Sequence, residues 1–582
     1  MTEINKLITN NIAVWSSAVQ AKRATGRGTS KKIRFVGIES LRNLIVELAL
    51  QGKLTHQETS DTPSKQLVEK VNAKRAQLIK NKLLKKQKSK VSFEPTTKPY
   101  SIPSNWCWSS IGELCELAPK NELADECEVS FIPMPLISTS YSGSHGHELK
   151  KWAEVRKGFT QFADGDIGLA KITPCFENSK AAVFSGLKNG VGSGTTELHV
   201  ARPLIKEINP RYLLLFLKSP LFLRVGESKM TGSAGQKRVP KDFFSTFSLP
   251  LAPEEEQSRI VAKVSELMSL CDQLEQQTEA SIDAHQVLVE ELLTTLTNSQ
   301  NAQDFQQNWT RIAEHFDLLF TTEHSIEQLK KTILQLAVMG KLVPQDPTDE
   351  PASDLLKKIA QEKEQLIKDK VIKKQKTLPV ISNEEMPFDL PKSWKWARLG
   401  EIGITSTGKT PSTKVPEYFG GDIPFIGPGQ ISPSGQLLQE DKTLTEEGLT
   451  QSVTANANDL LMVCIGGSIG KSTLANKAIG FNQQINAVSP LRIDPHYLHI
   501  AVSTDSFYSS VISKASGSAT PIINRSKWEE LLVPVAPLAE QTRIISKTND
   551  LIALCEGIKH GLNNAGDIKV KLASSIVGSA LS

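Results

Sequence analysis

The chain has 582 residues, 39% of them hydrophobic and 23% charged, and its 68 Lys+Arg against 63 Asp+Glu leave a net charge of +5. That length exceeds one ordinary core and calls for several domains, and the charge surplus permits a nucleic-acid partner without requiring one. Seven cysteines (Cys107, Cys115, Cys127, Cys175, Cys271, Cys464 and Cys555) with no C-x-x-C pair exclude a disulfide framework and a zinc site and read as a reducing cytoplasm.

The chain opens Met-Thr-Glu-Ile-Asn-Lys, with no charged-then-apolar-then-small pattern of a secretory signal. The Gly/Ser-spaced tract Lys22-Arg-Ala-Thr-Gly-Arg-Gly-Thr-Ser-Lys-Lys reads as a mobile basic tether able to lend salt-sensitive affinity. Pro63 then starts a helix carried by Leu67, Val71, Leu78 and Leu83, whose basic run from Lys80 to Lys90 reads as a solvated face. A strand-containing block follows, with β-rich runs at Phe131–Ile137 and Gly165–Ile172 among turn residues. It ends in an apolar helix, Pro210 to Leu223, and the Gly/Ser loop Thr231-Gly-Ser-Ala-Gly-Gln-Lys-Arg. The apolar stretch Leu213–Leu223 is broken by Lys218 and Pro220 and is too short to span a bilayer.

Next, Pro253 and three glutamates open a long helix reaching about Asn298, with acids at the positive end of the dipole. Positions 260, 264, 267, 271, 274, 278, 281, 285, 288 and 292 step by four and three, predicting one packed seam with a polar middle. At 1.5 Å per residue this helix is roughly 65–70 Å long.

The same plan then recurs. Gln-Gly-Lys-Leu at 51–54 returns as Met-Gly-Lys-Leu at 339–342, and Pro103-Ser-Asn-Trp-Cys-Trp as Pro391-Lys-Ser-Trp-Lys-Trp, both at an offset of 288. Leu67, Val71, Leu78 and Leu83 match Leu355, Ile359, Leu366 and Val371 at that offset, after Pro351. Leu249-Pro-Leu-Ala-Pro-Glu-Glu-Glu-Gln-Ser-Arg-Ile returns as Val533-Pro-Val-Ala-Pro-Leu-Ala-Glu-Gln-Thr-Arg-Ile, and Cys271 as Cys555, at an offset of 284. Between them, 115–245 and 403–530 look little alike, although the second also carries β-rich runs (Gly421–Gly427, Asp459–Gly466), an apolar helix (Pro495–Ile512) and a Gly/Ser loop from Ser516. Long-range duplication of this kind outranks any local signal.

Two variable blocks alternating with repeated helical regions resemble the specificity subunit of Type I restriction–modification systems. The likeness covers nearly the whole chain and is carried by Leu44-Ile-Val-Glu-Leu-Ala-Leu-Gln-Gly-Lys-Leu, Gly165-Asp-Ile-Gly-Leu-Ala-Lys-Ile-Thr-Pro-Cys-Phe-Glu-Asn, Gly466-Gly-Ser-Ile-Gly-Lys and the two Glu-Gln-x-Arg-Ile segments. The resemblance implies two target-recognition domains, each reading half of a split, asymmetric double-stranded DNA sequence. It also implies helices that set the spacing and dock two modification (methyltransferase) subunits, with restriction subunits completing the complex. S-adenosylmethionine, ATP and Mg are then expected on those partners and no cofactor on this chain. A pseudo-twofold chain suits two copies of one partner, and readers one helical turn apart, roughly 34 Å, can face one side of DNA.

Three motifs point elsewhere and are set aside. Gly466-Gly-Ser-Ile-Gly-Lys-Ser has Ile465 where a Walker A loop needs its first glycine. Phe425-Ile-Gly-Pro-Gly has the form of a methyl-donor loop, stiffened by Pro428 and followed by no Asn/Asp-Pro-Pro-Tyr for handling a flipped base. His145-Gly-His147-Glu148 lies in a Ser/Gly-rich stretch without a Cys/His cluster. No general acid/base or nucleophile constellation stands out.

For DNA contact, polar and basic residues in Gly/Ser loops are the expected readers, because backbone N–H groups there approach phosphates and long side chains reach base edges. In the first block these are Lys171, Asn178, Lys180, Ser233, Gln236, Lys237 and Arg238; in the second, Lys409, Gln430, Ser468, Lys471, Gln483, Gln484, Ser518 and Arg525.

The expected architecture is α+β: an N-terminal tether and helical region (1–100), a recognition domain (101–250), a central helical spacer (251–389), a second recognition domain (390–534) and a C-terminal helical region (535–582). The spacers are expected to be antiparallel, with the C-terminal segment pairing with the N-terminal one. The rival from another class is a non-catalytic scaffold whose variable domains bind proteins. A self-contained methyltransferase lacks its catalytic tetrapeptide.

Overall fold

The structure, a computed structural model, describes residues 3–21, 33–84, 98–233, 235–374, 376–517 and 519–581. The basic tract 22–32, Lys85–Lys90 of the first basic run, Gln375 in the second, and Ser518 lie outside the described residues. The chain divides into two compact units: Met1–Ser281 with Ala565–Ser582, and Ile282–Asn564. The C-terminal residues thus belong with the N-terminal half.

In the first unit α1 (Val36–Leu50) and α2 (Ser64–Lys80) precede the recognition domain. Its strands are β1 (Cys107–Ser109), β2 (Cys115–Leu117), β3 (Glu128–Ile132), β4 (Glu148–Lys151), β5 (Thr160–Ala163), β6 (Ile167–Ala170), β7 (Ala181–Val183), β8 (Val191–Gly194) and β9 (Leu198–Pro203). Three helices follow, α3 (Pro210–Leu217), α4 (Pro220–Lys229) and α5 (Lys241–Thr246), then β10 (Leu249–Leu251) and the long α6 (Glu254–Thr297), whose residues from Ile282 belong to the second unit.

The second unit repeats this plan. It has α7 (Glu323–Val338), α8 (Ala352–Lys368), β11 (Lys395–Arg398), β12 (Gly403–Thr407), β13 (Phe419–Ile426), β14 (Thr443–Leu444), β15 (Thr454–Ala455) and β16 (Leu460–Val463). It continues with β17 (Ser472–Leu474), β18 (Ile479–Phe481), β19 (Ile485–Pro490), α9 (Pro495–Val502), α10 (Asp505–Lys514), α11 (Arg525–Glu529), β20 (Leu532–Val535) and α12 (Leu538–Leu581).

The two variable blocks, so unlike in sequence, share one topology. An antiparallel sheet ordered β2-β9-β6-β7 in the first domain recurs as β12-β19-β16-β17 in the second. A second sheet, β4-β3-β8-β5, recurs as β14-β13-β18-β15, and in each the central pair is parallel. Opening and closing strands pair with each other, β1 with β10 and β11 with β20. Each domain therefore leaves its helical base and returns to it at one two-stranded clasp, the geometry of an exchangeable module.

The repeated blocks of sequence meet at the bases of these domains. Gly52 and Gly340 end α1 and α7 at φ +68° and +66°, the left-handed step that closes a helix C-terminus. A Cβ there would lie 2.5 Å from Pro103 Cγ in the first copy and 2.5 Å from Pro391 Cγ in the second. Gly-Lys-Leu and Pro-x-x-Trp recur together because they touch.

Three expectations are corrected. The apolar segments after each sheet form helix pairs, not single helices. Ser219 caps α4 by accepting from Phe222 N, with Pro220 disfavouring helical backbone before it, and Thr504 caps α10 by accepting from Phe507 N. Leu83 and Val371 lie beyond their helices, 71% and 67% exposed, because Lys82 and Lys370 take positive φ and end the helix. On α6, Ile260, Val264, Leu267 and Cys271 are buried as expected, but further on Val289, Leu293 and Leu296 are buried and Leu288 is exposed. The later residues pack with Ile312, Leu319, Ile326 and Leu329, so the buried face there is set by a different core.

Among the described residues no helix is long and apolar enough to cross a membrane, and all seven cysteines are free.

Candidate nucleic-acid interface

In each domain the loop leaving the central sheet is stitched to the Gly/Ser hairpin before the last short helix. In the first, Thr173 N donates to Lys237 O (3.0 Å) and Val239 N to Lys171 O (2.8 Å), with bridges Ile172↔Arg238 and Thr231↔Arg238. In the second, Gly466 N donates to Pro521 O (2.8 Å) and Ile523 N to Cys464 O (3.0 Å), with bridges Ile465↔Ile522 and Ser516↔Ile522. The same two-loop junction is built twice, from different residues.

In the first domain the expected residues lie on these two loops, 171–180 and 231–238. Ser233, Gln236 and Lys237 are exposed on the hairpin, and Asn178 is exposed on the turn after β6. Lys171 is half-buried, its amide donating to Glu197 O at 2.9 Å. Two others are occupied within the protein. Arg238 forks onto the Glu197 carboxylate at 2.8 and 2.9 Å, holding that acid below its usual range. Lys180 Nζ donates to Met134 O at 2.9 Å and ties its loop to the 134–136 turn.

Beneath Asn178 lies a cavity of about 930 Å³ between the domain and the helices of its own unit. Lys218 is buried in its wall and donates to Ser179 O (2.7 Å) and Thr139 O (3.3 Å). Burial pushes its ammonium down to about 7. Ser179 stands at φ +54°, so Lys218 holds the carbonyl of a left-handed residue in the 171–180 loop.

In the second domain Ser468 and Lys471 share the 466–471 turn, where Lys471 N donates to Ser468 O at 3.2 Å. Gln484 O accepts from Cys464 N at 2.8 Å, and Gln483 Oε1 accepts from Thr410 Oγ1 at 2.7 Å, joining Lys409 and its neighbours to the same edge. Arg525 opens α11 and pairs with Glu529 at 3.2 Å. Gln430 is consumed internally: its Oε1 accepts from Gly427 N (3.1 Å) and its Nε2 donates to Asp441 (2.7 Å).

One basic position went unnoticed in the sequence. Lys241 opens α5 as Arg525 opens α11, an equivalence visible only once the strands are aligned. Chemically, exposed amides, hydroxyls and ammonium groups on paired loops suit phosphate and base-edge contacts. Among the described residues no group of three or more His, Cys, Asp or Glu side chains could hold a metal ion. His145, of the fragment set aside above, accepts from Ser185 N at 3.1 Å.

The family described as "Type I restriction modification DNA specificity domain" matches residues 103–284 and 391–565, once over each recognition domain. The chain belongs to the Type I restriction–modification DNA specificity family. Among curated members, the Type I restriction enzyme EcoAI specificity subunit of Escherichia coli is 46% identical over 603 residues, covering 99% of this chain and 100% of that protein. The EcoEI specificity subunit of Escherichia coli is also 46% identical, over 591 residues and the same shares. A chain from a solved type I R-M system is 18% identical with a TM-score of 0.48, covering 83% of this chain and 99% of that one. The scaffold alternative finds no support in these matches to Type I specificity proteins.

Proposed function

We propose that this chain is the non-catalytic, DNA-reading subunit of a cytoplasmic Type I restriction–modification complex, each recognition domain contacting one half of a bipartite, asymmetric target. The observation that carries the reading is the repeated two-loop junction. One scaffold presents Lys237 and Gln236 in the first domain and Ser468 and Lys471 in the second, so one fold offers two chemistries to two half-sites. Two copies of a modification subunit dock on the repeated helical bases and restriction subunits complete the assembly. S-adenosylmethionine, ATP and Mg belong to those partners. The duplicated bases of the two domains, where Gly52 meets Pro103 and Gly340 meets Pro391 in the same way, support two equal docking surfaces. The test is reconstitution with the modification subunit, followed by native mass measurement and mapping of methylated adenines. Two copies bound and a split, non-palindromic site are expected; one copy at saturation, or a continuous palindrome, contradicts the reading.

A further inference from the structure

Beside the reading junction of the first domain runs a second concave surface of about 330 Å³, walled by the segment after β2, the start of β5, strand β9 and α5. It carries Lys120, Lys171 and Lys241, and none of its lining residues is an Asp or Glu. Lys120 and Lys241 are exposed, and among the described residues none of the three lysines forms an ion pair. The nearby acid, Glu197, is committed to Arg238.

The floor of this groove is packed and hydrogen-bonded. The His199 ring stacks on Phe244 at 5.0 Å and 15°. Its Nε2 donates to Val239 O at 3.0 Å, since that carbonyl can only accept. Burial lowers the imidazole's affinity for a second proton, and Lys171 and Lys241 lower it further. Exposed Phe159, packed edge-on to Phe131, stands in the same wall. The second domain places basic residues at the matching points: Lys409 follows β12 as Lys120 follows β2, and Arg525 opens α11 as Lys241 opens α5.

We infer that Lys120, Lys171 and Lys241 form a phosphate-contacting groove that seats the DNA backbone against the first recognition domain. The inference rests on the DNA-reading function proposed above. Three like charges converging on one concavity lined by no acid, with only Glu197 close enough to act on Lys171, favour the entry of an anion, and a lysine ammonium is a point charge that positions a phosphate without reading a base. The groove therefore supplies affinity and register while the neighbouring hairpin supplies sequence preference.

The experiment uses the full chain with its modification subunits and two duplexes, one with and one without the methylated site. Affinity is measured against salt for the parent, Lys120→Gln, Lys241→Gln, the charge-keeping Lys120→Arg and Lys241→Arg, and Lys206→Gln as a control away from the groove. Each Gln variant should weaken binding to both duplexes by about three- to tenfold and lower the salt slope by about 0.9, with the methylated position unchanged. The Arg variants and the control should keep the parent slope. Parent-like slopes in the Gln variants, with target binding intact, overturn the groove and leave the DNA-reading function standing. A loss confined to the target duplex overturns the phosphate assignment in favour of base contact. A parent complex that binds neither duplex overturns the groove and the reading together.

Discussion

Trp106 donates its indole N–H to the buried carboxylate of Glu256 at 2.7 Å. Thr55 and Gln57 donate to the other oxygen of the same group, and Trp394 and Gln345 repeat the arrangement on Glu540. Arg259 on Asp61 and Arg543 on Asp349 flank the two clasps. The conspicuous Glu-Gln-x-Arg-Ile repeat is thus the foot of each domain, where sheet, helix end and long helix are fastened.

Replacing Glu256 removes the acceptor shared by Trp106, Thr55 and Gln57, and replacing Glu540 the one shared by Trp394 and Gln345. Glu256→Ala should cost about 1–3 kcal/mol and raise hydrogen exchange in the first unit, while Glu540→Ala does so in the second. Exchange rising equally in both units for either variant would contradict independent clasps.

Lys218 gives the first unit a pH dependence. Its folded value is near 7 against an ordinary 10.5, so between these limits the unfolded chain binds the additional proton and stability rises with pH. The slope approaches about 1.4 kcal/mol per pH unit and vanishes below pH 7, where both states are charged. Denaturant unfolding at pH 7, 8 and 9 should show this gradient in the parent and lose it in Lys218→Met; identical gradients would refute the assignment.

The last residues of each long helix meet a lysine of the unit to which those residues belong. Lys53 Nζ donates to Leu581 O at 3.2 Å, and Lys341 Nζ to Thr297 O at 2.8 Å and Ser299 O at 3.2 Å, cations at the negative ends of the helix dipoles. Ala573, near the end of α12, is fully buried. Deleting residues 565–582 should therefore loosen α1 and α2 in hydrogen exchange and leave α7 and α8 protected. Loosening of α7 and α8 instead would show that the segment belongs to the other half.

Substitutions in the second junction should affect one half-site. Lys471→Ala, at a base edge, would relax preference at one position by about 1–3 kcal/mol; at a phosphate it would weaken all sequences alike and reduce salt dependence. Methylation mapping separates the two, and a change in the first half-site would count against separate readers.

The duplication, the long helices and the Gly/Ser loops were legible in the sequence because repeated blocks and Gly/Ser-rich turns announce themselves locally. The shared topology of the two domains was not. Its strands are two to eight residues long, several buried on both faces like β6 and β16, and carry no alternation that could align Ile167–Ala170 with Leu460–Val463. Side-chain availability was equally hidden. Arg238, Lys180 and Gln430 have the chemistry of readers, yet Glu197, Met134 O and Asp441 occupy them, and those partners lie 41, 46 and 11 residues away. Lys120 and Lys241 escaped notice for the opposite reason, being isolated in sequence and joined only by the fold.

The most direct test exchanges residues 101–250 for the corresponding domain of another family member and maps methylated sites with the modification subunits present. Because opening and closing strands meet at a single clasp, the chimera should change the first half of the target and keep the second half unaltered. A chimera that changed both halves together would contradict two independent readers.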